Sequence, residues 1–386
     1  MVGMHTHDLL IVGAGPVGLA LACALRKSGL DIVLVDARSA QASATDPRVL
    51  AFAHGTRLTL QNLGAWQGLE TTPIRSIHVS QQGGFGRALI QATDHGLDAL
   101  GHVGSAGALA KRLGEVAAHP RLEVRDHTRV TGIAAHEDHV EARLEHASDG
   151  PSTLRARLVA CAEGGLADDN ADIVDRDYQQ HAIIAHVECP RGHEHRAYER
   201  FTSEGPLALL PHARGFALVH VLSPENAASA LALGPEEYRD RLQAIIGSRV
   251  MLGRVSERLR YPLGLRYRRQ TTGPRTVWLG NAAQTLHPVA GQGFNLALRD
   301  VHALAGTLNE YAGDPGASAT LAAFTERRKL DRSGTIFFTD SLVRLFSNDN
   351  PLLKHARGAG LFALDVCPPL RNFVARRMMF GARAWP

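Results

Sequence analysis

A glycine turn between two buried strands restricts this chain more than any other feature. Leu9-Leu10-Ile11-Val12 reads as a strand covered on both faces, and it runs straight into Gly13-Ala14-Gly15-Pro16-Val17-Gly18. A helical segment follows, with Leu19, Leu21 and Leu25 among Ala20, Ala22 and Ala24, and it stops near Gly29. A second buried strand, Ile32-Val33-Leu34-Val35, ends on an acid, Asp36. Strand, glycine turn, helix, strand and acid in this order form the dinucleotide-binding fingerprint. Gly13 makes the tight turn, Gly15 lets the backbone approach a diphosphate, and Gly18 lets helix and sheet pack closely. The helix start offers unpaired N–H groups and the positive end of its dipole to that diphosphate. Asp36 suits the adenosine ribose hydroxyls, and its charge repels a 2′-phosphate. The motif alone does not separate FAD from NAD.

With 386 residues the chain can bury large cores, and two interleaved lobes are expected. Hydrophobic residues at 45% and charged residues at 21% match soluble globular proteins. A net charge of +4 demands no nucleic-acid partner, and none is expected. Cys23, Cys161, Cys189 and Cys367 lie far apart with no CxxC pair, so they read as buried free thiols in a reducing compartment. Residues 1–7 lack the apolar region of a signal peptide, and no run is long enough to span a membrane; a cytoplasmic protein is expected. The 20 histidines include no HExxH, and the pairs His5/His7 and His193/His195 read as surface residues rather than metal ligands. No metal site is expected. A GxSxG elbow and a P-loop are also missing, which leaves hydrolase and kinase readings without support.

Further along, residues 37–45 are small and polar and read as a loop. Asp46-Pro47-Arg48 precedes a helical pattern carrying Leu58, Leu60 and Leu63. Arg48 is either a surface charge or a group aimed back at the phosphates or ring held by the first turn. Residues 74–100 alternate apolar and polar with scattered glycines, the pattern of a hairpin. A helix is expected over 106–118, then short strands at 122–124, 129–134 and 139–144. Leu158-Val159-Ala160-Cys161-Ala162 is a buried strand leading to Glu163-Gly164-Gly165, a plausible second visit to the cofactor. Residues 172–267 read as an antiparallel sheet, with strand-like runs at 182–188, 205–211 and 216–222 and a helix at 235–246. This region is the natural cover for a pocket above the cofactor. The chain then returns through the short strand Val277-Trp278-Leu279 to Gly280-Asn281-Ala282-Ala283. Residues 288–293 combine a proline and two glycines just before a helix, so bare N–H groups can face a planar, electron-accepting ring.

Gly13-x-Gly15-x-x-Gly18 with Asp36, Arg48 after Asp46-Pro47, and the run from Gly280 through His287-Pro288-Val289-Ala290-Gly291-Gln292-Gly293-Phe294-Asn295 together resemble the single-component FAD-dependent aromatic hydroxylases. Within that class the chain is most similar to the ubiquinone-biosynthesis hydroxylases. Asn281 followed by Ala-Ala-Gln-Thr-Leu-His-Pro resembles their 2-octaprenyl-6-methoxyphenol hydroxylase branch. So do Glu199-Arg200-Phe201-Thr202 and Gly205-Pro206-Leu207-Ala208-Leu209-Leu210-Pro211, and also Asp340-Ser341-Leu342-Val343 with Leu345-Phe346.

The resemblance implies an α/β fold like that of para-hydroxybenzoate hydroxylase. A Rossmann-like FAD-binding domain (1–73, 101–171 and 268–340) would be interleaved with a mainly antiparallel substrate domain (74–100 and 172–267), and 341–386 would be helical. It implies that Gly13, Gly15 and Gly18 hold the FAD pyrophosphate, Asp36 the adenosine ribose, and Arg48 the flavin or its diphosphate. Glu163 and Gly164 would be the second contact, and Gly280 and Asn281 would meet the ribityl chain and pyrophosphate. Pro288, Gly291, Gln292, Gly293 and Asn295 would line the isoalloxazine, with Pro288, Gly291 and Gly293 facing the chemistry. In this family NAD(P)H reduces FAD, O2 adds at the flavin C4a, and the hydroperoxide hydroxylates a phenol. No second glycine fingerprint is present, so NAD(P)H would dock transiently. Three positions depart from the wider class: Asn281 for Asp, Glu163 for Asp, and Gly104-Ser105-Ala106-Gly107 without an amide or acid. No general base is assigned, and His287 reads as structural.

From residue 350 onward Lys354, Arg357, Arg371, Arg376, Arg377 and Arg383 face a single acid, Asp365. Leu370, Phe373, Val374 and Met378 share one face of a helix. Either this basic helix docks on an anionic membrane or on a protein partner of the ubiquinone pathway, or its apolar face packs on the domain. Another flavin oxidoreductase, or a non-catalytic scaffold of a quinone-biosynthesis assembly, are the alternatives to a hydroxylase acting on a polyprenylated phenol.

Overall fold

Leu9, Ile11, Ile32 and Leu34 enter one hydrophobic core, while Leu10, Val12, Val33 and Val35 enter another. That alternation is what two strands covered on both faces must show, and their side chains are at most 5% exposed. The computed structural model describes residues 5–166, 172–310, 313–346 and 351–381, without the side chains of 351–354.

The first sheet has eight strands. Thr6–Val12 lies between Gly150–Cys161 and Ile32–Val35, parallel to both, and Leu122–Arg125 extends it on the far side of Ile32–Val35. Thr276–Trp278 adds a further parallel strand beside Gly150–Cys161. The strands Thr128–Ala135 and Val140–His146 run antiparallel off the same sheet. Helices Pro16–Leu25, Ala106–Ala117 and Gln292–Glu310 send Leu21, Leu109 and Leu298 into the core shared with Leu9 and Ile11.

A second sheet, also of eight strands, is antiparallel except where Arg196–Phe201 pairs with Ser76–Gln81. Its other members include Arg87–Gln91, Pro206–His212, Gly215–Leu222, Ile173–Glu188 and Leu259–Arg268. Leu207, Leu209, Phe216 and Leu218 face a core shared with Tyr238 and Leu242 of the helix Pro235–Ile246. The opposite face is the one that matters for function. Helices Ser318–Phe346, Pro351–Val366 and Pro368–Phe380 complete the chain.

The structure corrects three details. Residues 40–44 form a short helix, Ala40–Ala44, capped by Ser39, inside the expected loop. A strand, Val49–Ala53, intervenes between Arg48 and the helix His54–Leu63, and with Thr71–Ile74 and Gly101–Ser105 it makes a third, small sheet. Cys367 is exposed, unlike the other three thiols. Ala167 and Arg383, and the side chain of Lys354, lie outside the described residues.

Candidate functional site

Three turns meet at the C-terminal ends of the parallel strands. Gly13 (φ +107°) leaves the first strand with its N–H donated to Val35 O at 2.7 Å. A Cβ on Gly13 would lie 2.6 Å from Ala162 O and 2.9 Å from the Cα of Glu163, so the second turn sits directly against the first. A Cβ on Gly18 would lie 1.9 Å from Gly13 O, which only glycine permits. The third turn, Gly280–Ala282, packs Gly280 (φ +57°) against Val17 and Ala297. Its carbonyl at Ala282 accepts from Arg268 Nε at 3.0 Å, and that guanidinium stacks over Trp278 at 4.4 Å. Asn281 is partly exposed within this turn.

The space in front of these turns fits FAD. Nothing stands within 4 Å of a Cβ built on Gly15, Gly164 or Gly293. Pro16 opens the first helix, whose leading N–H groups face that gap without an intrahelical partner. Asp36 is 7% exposed; Oδ2 accepts from Ala14 N at 2.6 Å and Oδ1 from Arg38 N at 2.7 Å. Oδ1 also accepts from Arg38 Nε at 3.4 Å, so it is Oδ2 that keeps a lone pair for a ribose hydroxyl. Arg48 lies over the adjoining loop, with its Nε donating to Asp46 Oδ2 at 2.9 Å and its side chain 59% exposed.

Residues 287–295 form a hydrogen-bonded cradle beside this groove. His287, 1% exposed, accepts from Val289 N at its Nδ1 (3.1 Å), and burial pushes its pKa down to about 4. A neutral imidazole acting as an acceptor fixes the turn that follows, which agrees with a structural histidine. Ala290 (φ +61°) and Gly291 (φ +59°) are both left-handed, a strained arrangement for alanine. Asn295 spends its whole amide on holding the turn. Its Nδ2 donates to Gly291 O (2.7 Å) and Ala51 O (3.0 Å), and its Oδ1 accepts from Ala53 N (2.8 Å) and Thr56 Oγ1 (2.7 Å). Gln292 Nε2 donates to Ala290 O at 3.2 Å.

The far side of that turn borders a cavity of about 310 Å3. Pro288, Val289 and Gly291 form one edge, the second sheet a wall, and Phe338, Leu361, Val374 and Met378 of the last three helices another. The lining is almost wholly apolar. Glu199 is the one charged side chain among the described residues that line it. Its Oε1 is shut off from solvent and has no hydrogen-bond partner among the described residues. In the sequence, Glu199 stands out only as part of the motif Glu199-Arg200-Phe201-Thr202. Its signal was parity: Ala197, Glu199 and Phe201 share one side of a strand, and only the middle one is polar.

Behind the turns lies a buried ionic network with no counterpart in the sequence reading. Arg328 and Asp300 are each 4% exposed and pair at 2.7 Å; Arg328 also pairs with Asp331 at 2.7 Å, which Arg299 joins at 2.7 Å. Gln284 Nε2 donates to Asp300 at 2.8 Å, and its Oε1 accepts from Arg332 at 2.8 Å. The network thus clamps the chain on both sides of 287–291, before it at Gln284 and after it at Asp300. Elsewhere, His5 and His7 both reach Asp31 Oδ2, at 2.7 and 2.8 Å.

Comparison with known proteins agrees with this geometry. A family model described as "FAD binding domain" matches residues 6–333. The ubiquinone hydroxylase UbiL of Rhodospirillum rubrum is 35% identical, over 98% of this chain and 91% of that protein. The 3-demethoxyubiquinol 3-hydroxylase of Escherichia coli is 27% identical, over 95% of this chain and 96% of its own. The crystal structure of the p-nitrophenol 4-monooxygenase PnpA from Pseudomonas putida superposes with a TM-score of 0.77 at 17% identity, covering 98% of this chain and 100% of that one. Its fold is the same interleaving of parallel and antiparallel sheets. The chain therefore belongs to the FAD-dependent aromatic hydroxylases, in their ubiquinone-hydroxylase branch.

Proposed function

We propose that this protein hydroxylates the ring of a polyprenylated phenol in ubiquinone biosynthesis, with FAD as cofactor and NAD(P)H and O2 as co-substrates. The observation that carries this reading is the apolar cavity bordered by the 288–291 turn, next to the glycine cradle that fits FAD. When bound, FAD accepts electrons from NAD(P)H and activates O2 for transfer to the ring. The chain supplies the rest. Gly13, Gly15, Gly18, Gly164 and Asn281 would hold the diphosphate and ribityl side, and Asp36 the ribose, with Arg48 and Glu163 at the margin. Pro288, Gly291 and Gly293 would present backbone to the ring system, while Gln292 and Asn295 keep that backbone in shape. The apolar walls exclude water and orient the phenol. Oxygen uptake by the FAD-loaded protein should rise several-fold on adding a short-tailed methoxyphenol, with one hydroxylated product formed per NAD(P)H oxidised. NAD(P)H oxidation that ignores the phenol and yields no hydroxylated ring removes this reading.

We also propose that the C-terminal helices rest on an anionic membrane, where such a substrate resides. No helix among the described residues is long and apolar enough to cross one. Support comes from Phe362, Val366, Leu370 and Phe373, which stay 41–57% exposed on the last two helices, with Arg376 exposed nearby. Val374 and Met378 face the cavity instead, so truncation would unroof it. The substitution pair Phe362→Ser with Phe373→Ser leaves that wall alone. It should weaken binding to phosphatidylglycerol vesicles at least about tenfold; equal binding discards membrane docking.

A further inference from the structure

Across the second sheet, Ala88, Val79, Glu199, Ala208 and Val219 stand opposite one another on five neighbouring strands, and all five line the cavity. One carboxylate therefore interrupts an otherwise apolar row. Placed there, its Oε1 has given up water and gained no donor among the described residues. A leucine of similar bulk would satisfy the strand's alternation with no such loss. What the position lacks is a partner that can donate a hydrogen bond, and a phenol in the cavity carries one.

We propose that Glu199 is a catalytic residue that receives the ring hydroxyl of the substrate, its Oε1 accepting first the hydrogen bond and then the proton. This rests on the hydroxylase reading above. The phenolic O–H bond breaks, an O–H bond to Glu199 forms, and the electron pair stays on the phenolate oxygen. From there it enriches the ortho and para ring carbons, one of which forms the new C–O bond with one oxygen atom of O2 as the O–O bond breaks; the other oxygen leaves as water, with the two electrons that NAD(P)H supplies. That carbon then loses its hydrogen to solvent as a proton. The pair it leaves restores the aromatic ring, and the proton held on Glu199 returns to the original oxygen.

Burial pushes the Glu199 carboxyl up to about 7, where a base is both ionised and able to take a proton near neutrality. No other charge faces it from the surrounding elements among the described residues. Val79 and Ala88 of the hairpin, Ala208 and Val219 beyond it, and Leu342 and Met378 of the helices are all apolar. Tyr198 packs on Phe216 in the core beneath the sheet, and Arg200 donates to Ser80 Oγ at 3.1 Å.

The test is calorimetric binding of 2-methoxyphenol, neutral throughout, to the FAD-loaded protein between about pH 6 and about pH 8. Affinity of the unmodified protein should rise roughly tenfold over that interval as the carboxylate ionises. In Glu199→Gln, with its flavin content unchanged, the profile should be flat and the hydroxylation rate lower by roughly 100-fold or more. A flat profile in the unmodified protein, or the same rise in Glu199→Gln, overturns the assignment. Flavin-loaded protein that binds no phenol at any pH instead overturns the hydroxylase reading, and this proposal with it.

Discussion

Replacing Arg328 by methionine should lower the unfolding free energy of the apoprotein by about 3–5 kcal/mol. Arg328 joins two buried carboxylates, Asp300 and Asp331, at 2.7 Å each. Methionine keeps the aliphatic stem but leaves Asp300 with Gln284 as its one side-chain hydrogen-bond donor among the described residues and removes the cation between two anions. Against a typical total of about 5–15 kcal/mol this is a large fraction. Urea denaturation should show the loss as a lower midpoint with an unchanged slope. Making Asp300→Leu in the same chain should recover part of it, because an unpaired buried carboxylate is worse than none. A cycle in which the two substitutions simply add would show that the pair is not coupled. The effect bears on function through position. Gln284 and Asp300 flank the 287–291 turn, so a loosened network frees both of its ends.

Gly15→Val should abolish FAD binding while leaving the apoprotein folded. The reason lies in two properties of Gly15. Its backbone (φ −76°, ψ 178°) is one that any residue adopts, and nothing stands within 4 Å of a Cβ placed there. The added side chain would enter only the space that the diphosphate needs. FAD affinity should fall at least about 100-fold, roughly 3 kcal/mol, with apoprotein stability within about 0.5 kcal/mol of the parent. Flavin absorbance of the purified protein and urea melts measure the two quantities. Gly18→Ala is the contrasting control, since its Cβ would sit 1.9 Å from Gly13 O and the fold itself must yield. A yellow Gly15→Val protein would place the diphosphate elsewhere.

The parts of this molecule that were legible in the sequence are those whose chemistry is local. Gly13 and Gly18 announce a turn because a left-handed backbone at one and a close approach at the other demand glycine, and Gly15 because a bound diphosphate would need its space. The helix Pro235–Ile246 shows its bounds through Pro235 and a closing glycine, Gly247. The strand Arg196–Phe201 was hidden because the face opposite Glu199 mixes Arg196 and Arg200 with the buried Tyr198, which does not read as a simple alternation. Missing the strand meant missing the parity of Glu199. Val49–Ala53 was obscured in the same way, by a short apolar run against a helix start. The ionic network joins Gln284, Asp300 and Arg328, partners 16 and 28 residues from Asp300, and nothing in their neighbours marks them as buried. Asn295 was legible as a site residue, yet its work is to bind Ala51, Ala53 and Thr56, more than 230 residues away in sequence.

The volume of the ring chamber has a consequence for the substrate's other end. About 310 Å3 stands at the lower limit of small-molecule sites, roughly 300–1,000 Å3. With the proposed substrate, a substituted aromatic head would fill it, and a long isoprenoid chain would trail outside the protein body. Discrimination between homologues that differ only in the number of isoprene units would then fall to whatever surface delivers them, and the chamber itself would be indifferent to how much hydrocarbon follows the head.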